Sequence, residues 1–199
     1  MKMIILVRCF FVLAIAIVFV SCRKNHTVFV EDNDAKNLSV FSDRGNNVMS
    51  CYINGSPFRT QDRITGILFG RSDYDINLRK NNLATDNDTL IVSWFADGQS
   101  YEHYSIELIL SVKKGFSYTD FNLLEGKRLA IDGVNGYFVL DHKSGEKGTG
   151  SIYFHRAFLI SNDSTEISRF SGIFEAMLPS YRITKGRFDH TLPGGVVFF

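Results

Sequence analysis

Hydrophobic positions along this chain follow two regimes. The first is one unbroken apolar run, Phe10 to Val20, preceded by Lys2 and Arg8 and closed by Ser21-Cys22 and the polar Arg23-Lys24-Asn25-His26. Its 11 residues match the core of an export signal and are too few to cross a bilayer alone. The second regime begins near residue 48, where short alternating segments are divided by turn residues. That pattern predicts β-strands.

The strands can be placed one by one. Val48–Ile53 alternates, with Met49, Cys51 and Ile53 on one face. Asn54-Gly55 then predicts a tight hairpin, because both central positions of its turn need positive φ. Pro57 puts the return strand, through about Thr60, at a sheet edge. Ile64–Gly70 and Tyr74–Arg79 follow, and Asn81 to Asp88 reads as a polar loop. Thr89–Ala96 is apolar on both faces, which predicts a central strand covered on both sides. Tyr104–Val112 alternates cleanly, with Ile106, Leu108, Leu110 and Val112 inward and Ser105, Glu107 and Ser111 outward. Phe116–Leu124 breaks the rhythm and predicts one short helical turn. Strands resume at Arg128–Ile131, Gly136–Asp141, Thr149–Phe154, Phe158–Ser161, Ile167–Leu178 and Tyr181–His190, with Ser144 to Gly148 as a hairpin tip. No stretch keeps helical periodicity for three turns. The expected fold is all-β: an antiparallel sandwich or partly closed barrel of about ten short strands, forming one domain over 48–199.

The apolar run ends in Val18-Phe19-Val20-Ser21-Cys22, a lipobox-like sequence with a small residue just before the cysteine. Phe19 stands where most such sequences carry Leu. The expectation is a lipoprotein signal peptide over 1–21, with Cys22 lipidated on sulfur and acylated at its new amino terminus. An uncleaved anchor or an ordinary secreted protein are the competing readings. Several acyl chains hold far more firmly than one, each buried methylene adding about 0.8 kcal/mol. Residues 22–47 are polar, apart from Val28-Phe29-Val30, and read as the lipidated cysteine and a flexible tether, with an edge strand through Val28–Val30 as the alternative. Fully extended, that tether reaches at most ~80–90 Å.

Charge and cysteine count narrow the function classes. The chain has 22 basic and 21 acidic residues, and loss of Lys2 and Arg8 with the signal leaves 20 against 21. Without basic runs, nucleic acid is not an expected partner. Cys9 leaves with the signal and Cys22 carries lipid, so Cys51 stands alone and no intrachain disulfide is expected. Stability then falls to packing, for which 18 Phe, 8 Tyr and Trp94 supply the area.

Three pieces together carry a family resemblance. Ile53-Asn54-Gly55 with Phe58, then Phe170-Ser171-Gly172-Ile173-Phe174-Glu175-Ala176, then Ile183-Thr184-Lys185-Gly186-Arg187-Phe188 resemble a group of Bacteroidetes-type lipoproteins with a β-rich domain of unknown function. That group carries an early Asn-Gly hairpin, a late Ser-Gly-Thr-Phe strand and an Ile-Thr-Asn-Gly-Arg-Phe strand. Here Ile173 replaces the usual Thr and Lys185 the usual Asn. The resemblance implies an exported β-rich domain and offers no catalytic residues. On physical grounds Phe174 and Phe188 are expected to face each other in the core, with the glycines at bulges or close strand contacts.

Candidate chemistry is sparse. The histidines (His26, His103, His142, His155, His190) have no zinc spacing. Asp73-Tyr74-Asp75 and Asp86-Asn87-Asp88 lack the Gly and Glu that complete a calcium loop. Cys51, alternating with Met49 and Ile53, reads as a buried structural thiol rather than a nucleophile. Trp94, Tyr101, Glu102 and Tyr104 cluster around one hairpin end and form a candidate ligand rim, against the simpler reading that Trp94 is core. Asp88-Thr89-Leu90 and Asp163-Ser164-Thr165 resemble an O-glycosylation acceptor of that bacterial group, making Thr89 and Ser164 candidate acceptors. No cofactor, metal or catalytic set is expected. The expected role is a non-catalytic interaction or structural domain, held at the outer membrane and facing the periplasm, with an envelope protein or glycan as partner. A small-ligand or glycan binder is the alternative.

Overall fold

The computed structural model describes residues 29–60, 74–79, 87–97, 103–140, 145–160, 167–193 and 197–198. The signal segment, Cys22, the expected strand Ile64–Gly70, Tyr101, Glu102 and Ser164 lie outside the described residues. The strands are β1 (Glu31–Asp32), β2 (Ala35–Ser39), β3 (Val48–Ile53), β4 (Ser56–Arg59), β5 (Tyr74–Arg79), β6 (Asn87–Asp97) and β7 (His103–Lys113), followed after a 3-10 turn (Tyr118–Leu124) by β8 (Arg128–Ile131), β9 (Gly136–Leu140), β10 (Lys147–Ile160), β11 (Ile167–Met177), β12 (Arg182–Pro193) and β13 (Val197–Phe198). The 3-10 turn falls where the broken rhythm at Phe116–Leu124 placed it.

β1 and β2 form a small hairpin. The other strands form one sheet in the order β13-β5-β6-β7-β9-β10-β11-β12-β3-β4, with β8 also paired to β10. It curls into a half-barrel, the partly closed form expected. Every pair is antiparallel except β13 with β5. The curl has identifiable causes. β10 pairs with β9 only at Lys147 and Gly148, then turns to β8 from Gly150 to Tyr153. A register shift between Phe154 and Arg156 bends it further. That bulge lets the two strands expected at Thr149–Phe154 and Phe158–Ser161 run as one.

Two glycines make the bend possible. A Cβ on Gly172 would come within 2.2 Å of the Tyr153 carbonyl oxygen, and one on Gly186 within 2.7 Å of the Phe174 ring. Each sits across from a phenylalanine, Gly172 from Phe188 and Gly186 from Phe174. The aromatic rings therefore fold over bare backbone instead of standing off it.

The core lies between the two halves of the curled sheet. Trp94 on β6 packs on Phe174 of β11 and on Phe188 of β12, 5.3 and 5.2 Å between ring centroids. Phe138 on β9 also stacks on Phe174, at 5.8 Å. Full burial of such side chains contributes roughly 1.5–3 kcal/mol each. The inward set expected on β7 is buried as read. Ser105 and Glu107, expected outward, are buried too, and Glu107 accepts a hydrogen bond from Ser93 of β6 at 3.2 Å. A strand flanked on both sides shields even its polar positions. On β6 the second face is only half-covered at Ile91 and Phe95.

The expected tether is the main departure. From Phe29 onward the segment read as flexible is built into the domain, with Ala35 and Leu38 buried and Val40 N–H bonded to the Val30 carbonyl at 2.6 Å. Asp32, Ser39, Ser42 and Asn47 find specific partners on the sheet.

Candidate functional site

The outward face of β10, β11, β12 and β3 collects most of the polar chemistry among the described residues. Strand alternation puts Tyr153, Ile173, Glu175, Arg187, Asp189 and Ser50 there, while Phe154, Phe174, Phe188 and Met49 point into the core. Residues 29–47 lie across half of this face as a strap.

Two charged side chains of β12 pin the strap. Asp189 is buried, and its carboxylate accepts hydrogen bonds from the Ser42 hydroxyl, from Gly45 N–H at 2.8 Å and from Asn46 N–H at 3.2 Å. Backbone donors pre-set by a loop can compensate the desolvation of a buried carboxylate. The loop is tight enough to need glycine. Gly45 has φ +77°, and a Cβ there would lie 1.8 Å from Thr191 Oγ1. Two residues earlier on β12, Arg187 pairs with Asp32 and donates to the Ser39 carbonyl at 2.9 Å. The Arg187 guanidinium, helped by the Asp34 N–H, holds the Asp32 carboxyl below its ordinary range. A third clasp joins Ser39 and Ser50, hydroxyl to hydroxyl at 2.8 Å.

The uncovered half is an open cleft of about 510 Å³ lined by Phe41, Arg128, Tyr153, Ile173, Glu175 and Lys185, among others. The Arg128 guanidinium sits 5.4 Å from the Tyr153 ring centroid, a cation–π contact. Lys185 occupies the register shift between Thr184 and Arg187, with φ +51°, and its ammonium donates to the Asp34 carbonyl at 3.3 Å. Phe41, on the strap, packs edge-on against His155 at 5.5 Å. The cleft offers an apolar floor, cations at the rim and one carboxylate.

Trp94, a candidate for a ligand rim, is core, as the simpler reading had it. It is wholly buried, and its Nε1–H donates to His190 Nε2 at 2.9 Å. The parity of Leu90, Val92 and Trp94 on one strand face sends it inward. Tyr104 pairs with Ala96 in the β6–β7 ladder, and Tyr101 and Glu102 lie outside the described residues. Thr89 is half-buried within a strand, registered with Arg79 on one side and Ser111 on the other.

His190 is fully buried, and desolvation lowers its pKa to about 3. It accepts from the indole at Nε2, so it is a neutral imidazole with its proton on Nδ1. Cys51 is buried, and burial alone pushes its thiol pKa up, which makes it unreactive. Among the described residues, no three of His, Cys, Asp and Glu are grouped so as to hold a metal ion.

The cleft was not legible in the sequence, because Arg128, Tyr153, Ile173 and Lys185 come from four different strands. Only the register Arg128–Tyr153–Ile173–Arg187 brings their strands side by side. Comparison of the chain with family models, with curated proteins and with solved structures found no match.

Proposed function

We propose that this protein is an envelope lipoprotein, acylated at Cys22, whose β domain is a non-catalytic interaction module. The observation that carries this reading is the strap. Chain leading from the expected anchor is pinned by Asp189 and Arg187 beside the open cleft, which supports reading the cleft as the face that the anchor presents. The lipobox-like Val18–Cys22 and the resemblance to Bacteroidetes-type lipoproteins support the anchor. No helix among the described residues is long and apolar enough to cross a membrane.

The expected destination is the outer membrane, facing the periplasm. Arg23-Lys24 follow the cysteine directly, whereas Asp there favours inner-membrane retention and an acidic run favours surface export. Cys22→Ala tests the reading. The variant is expected to leave the membrane fraction or to accumulate as uncleaved precursor. A variant that matures and partitions into detergent like the parent would overturn it.

A glycan or small-ligand binder is the second reading. Tyr153 with Arg128 and Glu175 in one cleft favours it, since stacking surface, donor and acceptor converge there. Saturable binding of a soluble glycan, abolished in Tyr153→Ala, would promote this reading over a contact surface.

A further inference from the structure

We infer that the cleft face is where the domain rests on the membrane that holds its anchor, an inference that stands on acylation at Cys22. The strap is in place from Phe29, so only six residues, Arg23 to Val28, separate it from Cys22. From Cys22 to Phe29 the chain therefore reaches at most ~25 Å in any conformation. A domain of this size has a radius of gyration of roughly 15 Å, so the tether is shorter than the domain is wide. The body cannot tumble freely at the end of such a leash. Whatever face carries the start of the strap is held near the bilayer.

That face is the cleft face. The Phe29 ring lies under the Arg59 guanidinium, 4.8 Å from its centroid, and Arg59 is registered with outward-facing Ser50. Val30 is bonded to Val40, next to Phe41 at the cleft. The exposed apolar side chains are distributed to match. Val30, Val40, Phe41, Ile173 and Met177 are all exposed and lie on the strap or on the outward positions of β11. Only Leu123 and Val134, among the described residues, are large exposed hydrophobics elsewhere. Single exposed hydrophobics are ordinary, but this concentration on one side is the mark of an interaction surface.

The rim fits a lipid headgroup region. Arg59, Arg128 and Lys185 have long aliphatic stems that can lie along apolar surface while their charges reach phosphate oxygens. Glu31, Asp34 and Glu175 share the face, so its net charge is small. Apolar contact therefore carries the docking, and its salt dependence is weak.

The test uses the full protein, purified from membranes and returned to vesicles of phosphatidylethanolamine and phosphatidylglycerol. Ile173→Cys and, on the β8–β9 turn, Val134→Cys each receive an environment-sensitive fluorophore; buried Cys51 does not compete for label. Brominated lipids are then added to the vesicles. Loss of most of the signal at position 173, little at 134, and little change in raised salt is the expected result. Equal quenching at both positions, or quenching only at 134, overturns the inference. So does a shielded but unquenched probe at 173, which would place a second copy of the chain or another protein on the face. Label taken up by the parent protein reports a free Cys22 or Cys9; the anchor reading then fails, and the inference falls with it.

Discussion

Trp94 and Phe174 lie face to face, 5.3 Å between centroids and 1° between ring planes, although they come from opposite halves of the sheet. This contact closes the half-barrel over its core. Phe174→Ala is expected to cost about 3–5 kcal/mol, much of the stability of a domain this size. Ile173→Ala, one residue away on the outward face, is expected to stay within about 0.5 kcal/mol. Chemical denaturation of both variants checks the assignment of faces. A large loss at Ile173 with none at Phe174 would invert it.

His190 gives the domain a predictable pH response. Its folded-state pKa, about 3, is below the ordinary 6.5, so the unfolded chain binds the extra proton between those values. Stability from the neutral imidazole is complete above 6.5 and is lost as pH falls toward 3, by at most about 1.4 kcal/mol per pH unit. His190→Gln keeps an acceptor for the Trp94 indole and removes the titration. Unfolding midpoints between pH 7.5 and 4.5 are expected to fall less steeply in the variant. Parallel curves would remove His190 as the cause.

The carboxylate of Asp189 is expected to act as the latch of the strap. Asp189→Asn puts a donor in place of either Oδ1, which accepts from Gly45 N–H, or Oδ2, which accepts from Asn46 N–H and the Ser42 hydroxyl. A loss of about 1–3 kcal/mol is expected, the usual cost of an unsatisfied buried group. Hydrogen exchange reads it locally, with faster exchange at Gly45 and Asn46 while β10 and β11 stay protected. Unchanged exchange there would mean the strap is held by other contacts.

Gly45→Ala tests the same loop by shape. The added Cβ meets Thr191 at a backbone φ of +77°, so the variant is expected to loosen the strap more than Gly55→Ala loosens its hairpin, where a Cβ meets nothing. Limited proteolysis within 38–47 measures the difference. Equal resistance in both variants would argue against close packing at Gly45.

Much of the sheet was legible because its signals are local. Asn54 and Gly55 both have positive φ, 50° and 83°, as the Asn-Gly turn requires. Met49 and Cys51 are buried on one face of β3, as their alternation predicts. The parity of Leu90, Val92 and Trp94 also carried the inward placement of Trp94, the simpler of its two readings. The strap was not legible. Asp32, Ser39 and Ser42 read as solvated tether residues, and their partners Arg187, Ser50 and Asp189 are mostly more than a hundred positions away. Polar residues that bind to distant polar residues leave no periodicity. The cleft was hidden for the same reason, since it exists only in the register between strands.

The anchor is the claim on which the functional account turns, and mass spectrometry of the N-terminal peptide from membrane-purified protein tests it most directly. The account predicts a peptide that begins at Cys22 and carries fatty acyl chains on its sulfur-linked glyceryl group and its amino terminus. A peptide that begins at Met1, or an unmodified one that begins after a cut elsewhere, would contradict it.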